Sequence, residues 1–117
     1  MSTIVYVCTT CASTWQNGKK VGTSGGEILL ATLEAENGTT NLTIKPVNCM
    51  SACSHACCVA FAAPGKYSYI FGDLHPEVAG DILDCARTYD TKTDGMIGWN
   101  ERPEALKKTL IARLPAL

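Results

Sequence analysis

Four of the chain's seven cysteines fall within ten residues, in the stretch CMSACSHACC at residues 49–58. A second pair, CTTC, stands far upstream at Cys8 and Cys11. Thiolates at such spacings can make a disulfide, a dithiol redox centre, a zinc site or an iron–sulfur cluster. Seven is odd, so the sulfurs cannot all pair within one chain. The N-terminus, MSTIVYVC, lacks the basic segment and long apolar core of a signal peptide. The longest apolar run, residues 57–64, is far shorter than the ~20 residues a helix needs to span a bilayer. A cytoplasmic location is therefore expected. In a reducing compartment, clustered cysteines serve metal binding or catalysis more often than structural disulfides.

The elements that must position these sulfurs can be read in order. The 117 residues suit a single domain over 1–117 with one core. Residues 3–8, TIVYVC, are β-branched and aromatic and predict a buried strand. Residues 9–26 are polar and Gly-rich and predict a loop. Ser24, followed three residues later by Glu27, predicts a capping box that opens a helix through EILLATLEAEN. Asn37-Gly38 ends that helix. NLTIKPVN alternates, with Leu42, Ile44 and Pro46 on one side, and predicts a second strand. Pro46 puts this strand at an edge or takes its end out of the ladder. CCVAFAA and KYSYIFG flank Pro64-Gly65 and predict a hairpin. His75-Pro76 predicts the start of another helix. Val78, Ile82, Cys85 and Tyr89 recur along it at helical spacing, and TKTDG breaks it. RPEALKKTLIARLP predicts a last short helix with Leu106, Leu110 and Leu114 on one face.

This order predicts an α/β fold of thioredoxin-like topology. It is a mixed four-stranded sheet with helices on both faces and an extra C-terminal helix. The first β-α-β unit implies a parallel strand pair with a right-handed crossover. If those two strands are neighbours, their C-terminal ends share one sheet edge, the edge where open α/β sheets bind ligands. Cys8 and Cys11 leave the first strand there, and Cys49 and Cys53 follow the second. Four thiolates converging from two loops would make a metal site for zinc or a [2Fe–2S] cluster.

At this point the chain resembles a known family. C-x2-C, then 37 residues, then C-x3-C is similar to the thioredoxin-like [2Fe–2S] ferredoxins and the small iron–sulfur subunit of respiratory complex I. CMSAC carries the most specific part of that resemblance. VYVCTTC, YSYIFGDL and DGMIGWNERPEAL resemble, over nearly the whole chain, a bacterial family labelled only as predicted metal-binding proteins. The resemblance implies that Cys8, Cys11, Cys49 and Cys53 hold a [2Fe–2S] cluster. Cys57 is the alternative ligand, since the closer family often keeps a cysteine there. It also implies one-electron transfer to a redox partner protein, and a homodimer paired through the sheet.

Each feature has a plainer competitor. Buried apolar cysteines account for one or two sulfurs, but poorly for two spaced pairs at one edge. A cysteine-ligated zinc or soft-metal binding or trafficking protein fits the same residues, as does a sensor of cluster loss or thiol oxidation. Dithiol exchange needs a helix N-terminus just after the first thiol, whereas here the predicted helix starts well past Cys11. Cys58 and Cys85 read as core. His55 reads as a solvent-exposed loop residue that could tune a cluster through a hydrogen bond to sulfur, and His75 as the neighbour of Pro76. Trp15 could shield the site, and Trp99 could anchor the last helix. The backbone N–H groups of residues 9–12 and 50–56 are the expected donors to sulfur.

The remaining classes are disfavoured. A net charge of -1, with Lys19-Lys20 and Lys107-Lys108 the only basic doublets, points to neither nucleic acid nor an anionic membrane surface. No Ser-His-Asp set, paired-carboxylate motif, phosphate loop or dinucleotide fingerprint is present, so no acid–base or nucleophilic enzyme is expected.

Overall fold

A computed structural model describes residues 3–9, 14–38, 42–48, 55 and 57–116. Strand β1 (Ile4–Cys8) lies inside a five-stranded sheet of order β4-β1-β5-β6-β7. The other strands are β4 (Thr43–Val47), β5 (Val59–Ala62), β6 (Ser68–Phe71) and β7 (Leu110–Leu114). β1 and β4 run parallel, with Ile4 opposite Thr43 and Cys8 opposite Val47. β5 runs antiparallel to β1, with Val7 opposite Val59. β6 and β7 extend the antiparallel half. Pro46 sits on the edge strand β4, where its missing N–H interrupts no interior ladder.

Helix α1 (Gly25–Asn37) crosses from β1 to β4. Its N-terminus carries the predicted capping box: the Ser24 hydroxyl accepts from the Glu27 N–H, and the Glu27 carboxylate accepts from the Ser24 N–H. After β6, a 3₁₀ turn at Pro76–Val78 leads into α2 (Ala79–Thr91). The two helices pack against each other, so they occupy one face of the sheet. That face holds the core. Val5, Val7, Val59, Phe61, Tyr69 and Phe71 are buried from the strands, and Leu29, Leu33, Ile82, Cys85 and Tyr89 from the helices. Their burial follows the strand period of two and the helix period of 3.6. Tyr89 meets Phe61 at 5.8 Å and Tyr69 at 6.2 Å between ring centroids, and its hydroxyl donates to the Tyr67 carbonyl at 2.5 Å.

Four expectations need correction. The sheet has five strands rather than four. The helices lie on one face rather than both, because α1 and α2 pack against each other. Ile4, Tyr6, Ala62, Ser68 and Ile70, the alternate strand positions, are accordingly only half-buried. The C-terminal helix is instead a 3₁₀ turn at Glu104–Leu106 followed by β7. Leu106 is buried as expected, but Leu114 is 52% exposed. The edge of β6 offers a full ladder of hydrogen bonds, and a short helix between Pro103 and Pro115 cannot match that. Finally, the stretch read as a loop contains a separate hairpin, β2 (Thr14–Gln16) and β3 (Lys19–Val21). Asn17 and Gly18 form its turn, both at positive φ (54° and 77°), the conformation of a tight hairpin turn.

Among the described residues, no helix is long and apolar enough to cross a membrane.

Candidate metal centre

The parallel register of β1 and β4 brings two cysteine-bearing connections to one corner. Cys8 is the last residue of β1 and lies opposite Val47, the last residue of β4. The Thr9 N–H donates to the Val47 carbonyl at 2.9 Å, so pairing continues past the strand ends. Cys11 follows three residues after Cys8, and Cys49 two residues after Val47. Cys11, Cys49 and Cys53 lie outside the described residues.

A third segment enters at the same corner. β5 runs antiparallel to β1, so its start lies beside the end of β1. The Cys8 N–H donates to the Cys58 carbonyl at 3.1 Å. Cys57 and Leu74 exchange both backbone hydrogen bonds, at 3.0 and 3.1 Å. The Asp73 N–H donates to the His55 carbonyl at 2.7 Å. The segment carrying His55, Cys57 and Cys58 is thus stapled to the chain between β6 and α2.

Cys8 and Cys58 are fully buried, and Cys57 is 4% exposed. Burial pushes the Cys57 thiol above its ordinary range, and a charge on Cys8 would push it further. Two thiols within electrostatic reach of each other in a dry corner are costly to ionise alone. A bound thiophilic cation removes that cost, so this part of the donor set suits a thiolate-bound metal. Among the described residues, no three His, Cys, Asp or Glu side chains group closely enough to hold an ion. Cys58 donates to the His55 carbonyl at 3.2 Å and, just ahead of β5, is core as expected. Cys85, on the buried face of α2, has its thiol pushed up to about 12 by burial, although the Arg102 guanidinium works the other way. It is also core.

Other candidates fall elsewhere. His55 is exposed, and its Nδ1 lies 3.2 Å from Asp73 Oδ2. His75 precedes Pro76 at the 3₁₀ turn, as expected. Trp99 is 50% exposed and lies under the Arg102 guanidinium at 5.2 Å; there is no last helix for it to anchor. Trp15 belongs to β2 of the hairpin. Among the expected donors to sulfur, the Thr9 N–H is already taken by Val47; residues 10–12, 50–54 and 56 lie outside the described residues.

One relationship was hidden in the sequence. α1 begins well after Cys11 in the chain, yet its first turn packs directly on the end of β1. A Cβ on Gly26 would stand 2.0 Å from the Cys8 carbonyl oxygen. The Ser24 hydroxyl also donates to the Thr9 carbonyl. The helix N-terminus, with its partial positive charge, is therefore beside Cys8. Sequence distance from Cys11 is a poor guide to distance in space; the signal is the pair Gly25-Gly26, which permits the close approach.

The fold and this corner can be set beside known proteins. Two solved structures of a thioredoxin-like [2Fe–2S] ferredoxin from Aquifex aeolicus, one of them the wild type at 1.5 Å, superpose with TM-scores of 0.61 and 0.60. They are 16% and 18% identical to this chain, and the alignments cover 96% and 95% of it and 92% and 97% of theirs. The fold is thioredoxin-like. A comparison with curated proteins found no match. The model of a family described as a protein of unknown function, DUF1636, matches residues 5–116, and the chain belongs to that family.

Proposed function

We propose that this protein is a one-electron carrier, not an enzyme, with a [2Fe–2S] cluster held by Cys8, Cys11, Cys49 and Cys53. The observation that carries this reading is the register of Cys8 with Val47 at one sheet edge, which starts both cysteine-bearing connections from a single corner. A bound cluster would supply one-electron redox chemistry. The chain's own part is to hold four thiolates, exclude water and set hydrogen bonds around the sulfurs. Cys57 is the alternative fourth ligand, buried in the same corner and within electrostatic reach of Cys8. The electron goes to a redox partner protein in a small transient complex.

The uncovered sheet face supports a homodimer. Ile4, Tyr6, Ala62, Ser68 and Pro115 line an open groove of about 500 Å³ there. A second copy would cover the half-buried alternate strand positions. No nucleic-acid or membrane partner is proposed, and the location proposed is the cytoplasm.

The test is anaerobic purification followed by iron, sulfide and zinc analysis and a visible spectrum. The expected result is a red-brown protein with iron and sulfide in equal amounts, and a paramagnetic signal after one-electron reduction. A colourless protein with stoichiometric zinc would overturn the reading in favour of the zinc alternative.

A further inference from the structure

The chain between β6 and α2 passes through a glycine that is needed for space rather than for backbone freedom. Gly72 is buried, and it is not one of the glycines with positive φ. A Cβ there would stand 2.6 Å from Ile111 Cδ1, 2.8 Å from His55 Cβ and 2.8 Å from the His55 carbonyl oxygen. All three lie well inside the ~3.5–4.0 Å of ordinary carbon contact. Ile111 can swing its terminal methyl aside. His55 meets the glycine with its Cβ and its backbone, which move only if the whole segment moves.

Two features bring these groups together. The register of β7 on β6 slips by one residue. Phe71 faces Leu110 and Ile70 faces Ala112, which leaves Ile111 as the extra residue of a β-bulge. Bulges re-aim a side chain, and here Ile111 is aimed at Gly72. The Gly72 N–H donates to the Thr109 carbonyl at 2.9 Å, which ties the glycine to the residue before β7. Asp73, at φ 54°, then turns the chain. The N–H groups of both Asp73 and Leu74 thereby serve the cysteine segment, at the His55 and Cys57 carbonyls. These hydrogen bonds join backbone to backbone, so they hold with or without a bound metal.

We propose that Gly72 is a positioning residue for the metal centre. His55 lies two residues after Cys53, and Cys57 two residues further on. Seated on Gly72, this segment fixes the point where the connection carrying Cys49 and Cys53 rejoins the fold. It also holds Cys57, 4% exposed, in its place ahead of β5. The proposal rests on the metal-centre reading of this corner and names a residue that sets its geometry without touching a ligand atom.

The experiment compares Gly72→Ala with the wild type in two readouts. In the metal-free full chain, alkylation by iodoacetamide followed by peptide mass spectrometry gives the rate at each cysteine. Cys57 is expected to react about tenfold faster or more in the variant, because a side chain forced into a filled site displaces its neighbours. Cys85, buried on α2, is expected to keep its rate. In anaerobically purified holoprotein, the variant is expected to change the visible circular dichroism spectrum and to release iron to bathophenanthroline about tenfold faster. The double variant Gly72→Ala, Ile111→Ala removes one of the clashing neighbours. Its Cys57 rate is expected to lie between those of the wild type and Gly72→Ala, and it is read in place of the single variant if that does not fold. An unchanged Cys57 rate, or an equal rise at Cys57 and Cys85 that marks general loosening, would overturn the proposal. So would an unchanged circular dichroism spectrum in iron-containing holoprotein. Failure of the carrier reading shows separately, as wild-type protein without iron or visible absorption, and the alkylation rates then decide whether Gly72 seats the segment.

Discussion

The carbonyl oxygen of Cys8 lies against the Cα of Gly26, so close that a Cβ there would stand 2.0 Å from it. This contact joins the end of β1, where the first cysteine pair begins, to the N-terminus of α1. The clash would be with backbone at both ends, so no side chain can move aside. Gly26→Ala is expected to destabilise the protein by about 1–3 kcal/mol and to lower cluster occupancy. Gly80, in the first turn of α2, is the control: nothing lies within 4 Å of a Cβ there. Gly80→Ala is expected to stabilise by about 0.5–1 kcal/mol through helix propensity. Urea unfolding and iron content of the two variants check both statements.

The ligand set divides the cysteines. Serine at Cys8, Cys11, Cys49 or Cys53 is expected to abolish or strongly alter the visible spectrum, while serine at Cys85 leaves it unchanged. Cys57→Ser is expected to retain the cluster. If Cys53→Ser keeps an intact spectrum and Cys57→Ser loses it, Cys57 is the ligand and Cys53 is not.

Alkaline pH tests the buried acids of the core. Burial raises Cys85 from 9.0 to about 12, and burial together with Tyr69 raises Tyr89 from 10.0 to about 12. Both groups keep their protons in the folded state at pH values where the unfolded chain has lost them. Their stabilising contribution is therefore complete below about pH 9 and is lost as pH rises toward 12. The slope approaches about 1.4 kcal/mol per pH unit for each proton. Cys85→Ala is expected to lower stability at neutral pH by about 1 kcal/mol and to flatten the alkaline decline. Denaturant midpoints measured from pH 8 upward check the sign.

Asp73 separates backbone strain from an ion pair. It has φ 54°, a left-handed conformation that costs most side chains roughly 1–2 kcal/mol. Its carboxylate also meets the exposed His55 at 3.2 Å, a surface pair of little worth. Asp73→Gly is expected to match or slightly exceed the wild type in stability, and Asp73→Ala to lose about 1 kcal/mol. Equal losses in both variants, measured by urea unfolding, would show that the side-chain contact dominates.

By itself the sequence determined most of the local structure. The capping box at Ser24 and Glu27, the stop at Asn37-Gly38, the hairpin about Pro64-Gly65 and the core face Ile82, Cys85 and Tyr89 are all present. Each depends on interactions within a few residues, or on a period that burial enforces. The parallel pairing of β1 with β4, and hence the corner where Cys8 sits, also followed from the β-α-β order and its handed crossover. The β2–β3 hairpin was missed in a stretch read as loop: Asn17-Gly18 was its signal, masked by the polar residues around it. Tertiary structure alone decided the rest. Whether residues 110–114 coil or extend depended on the open edge of β6, which no local pattern reports. Both helices lie on one face because they pack on each other, a choice their own amphipathicity leaves free. The seating of α1 on Cys8 joins residues whose separation along the chain conceals their contact in space.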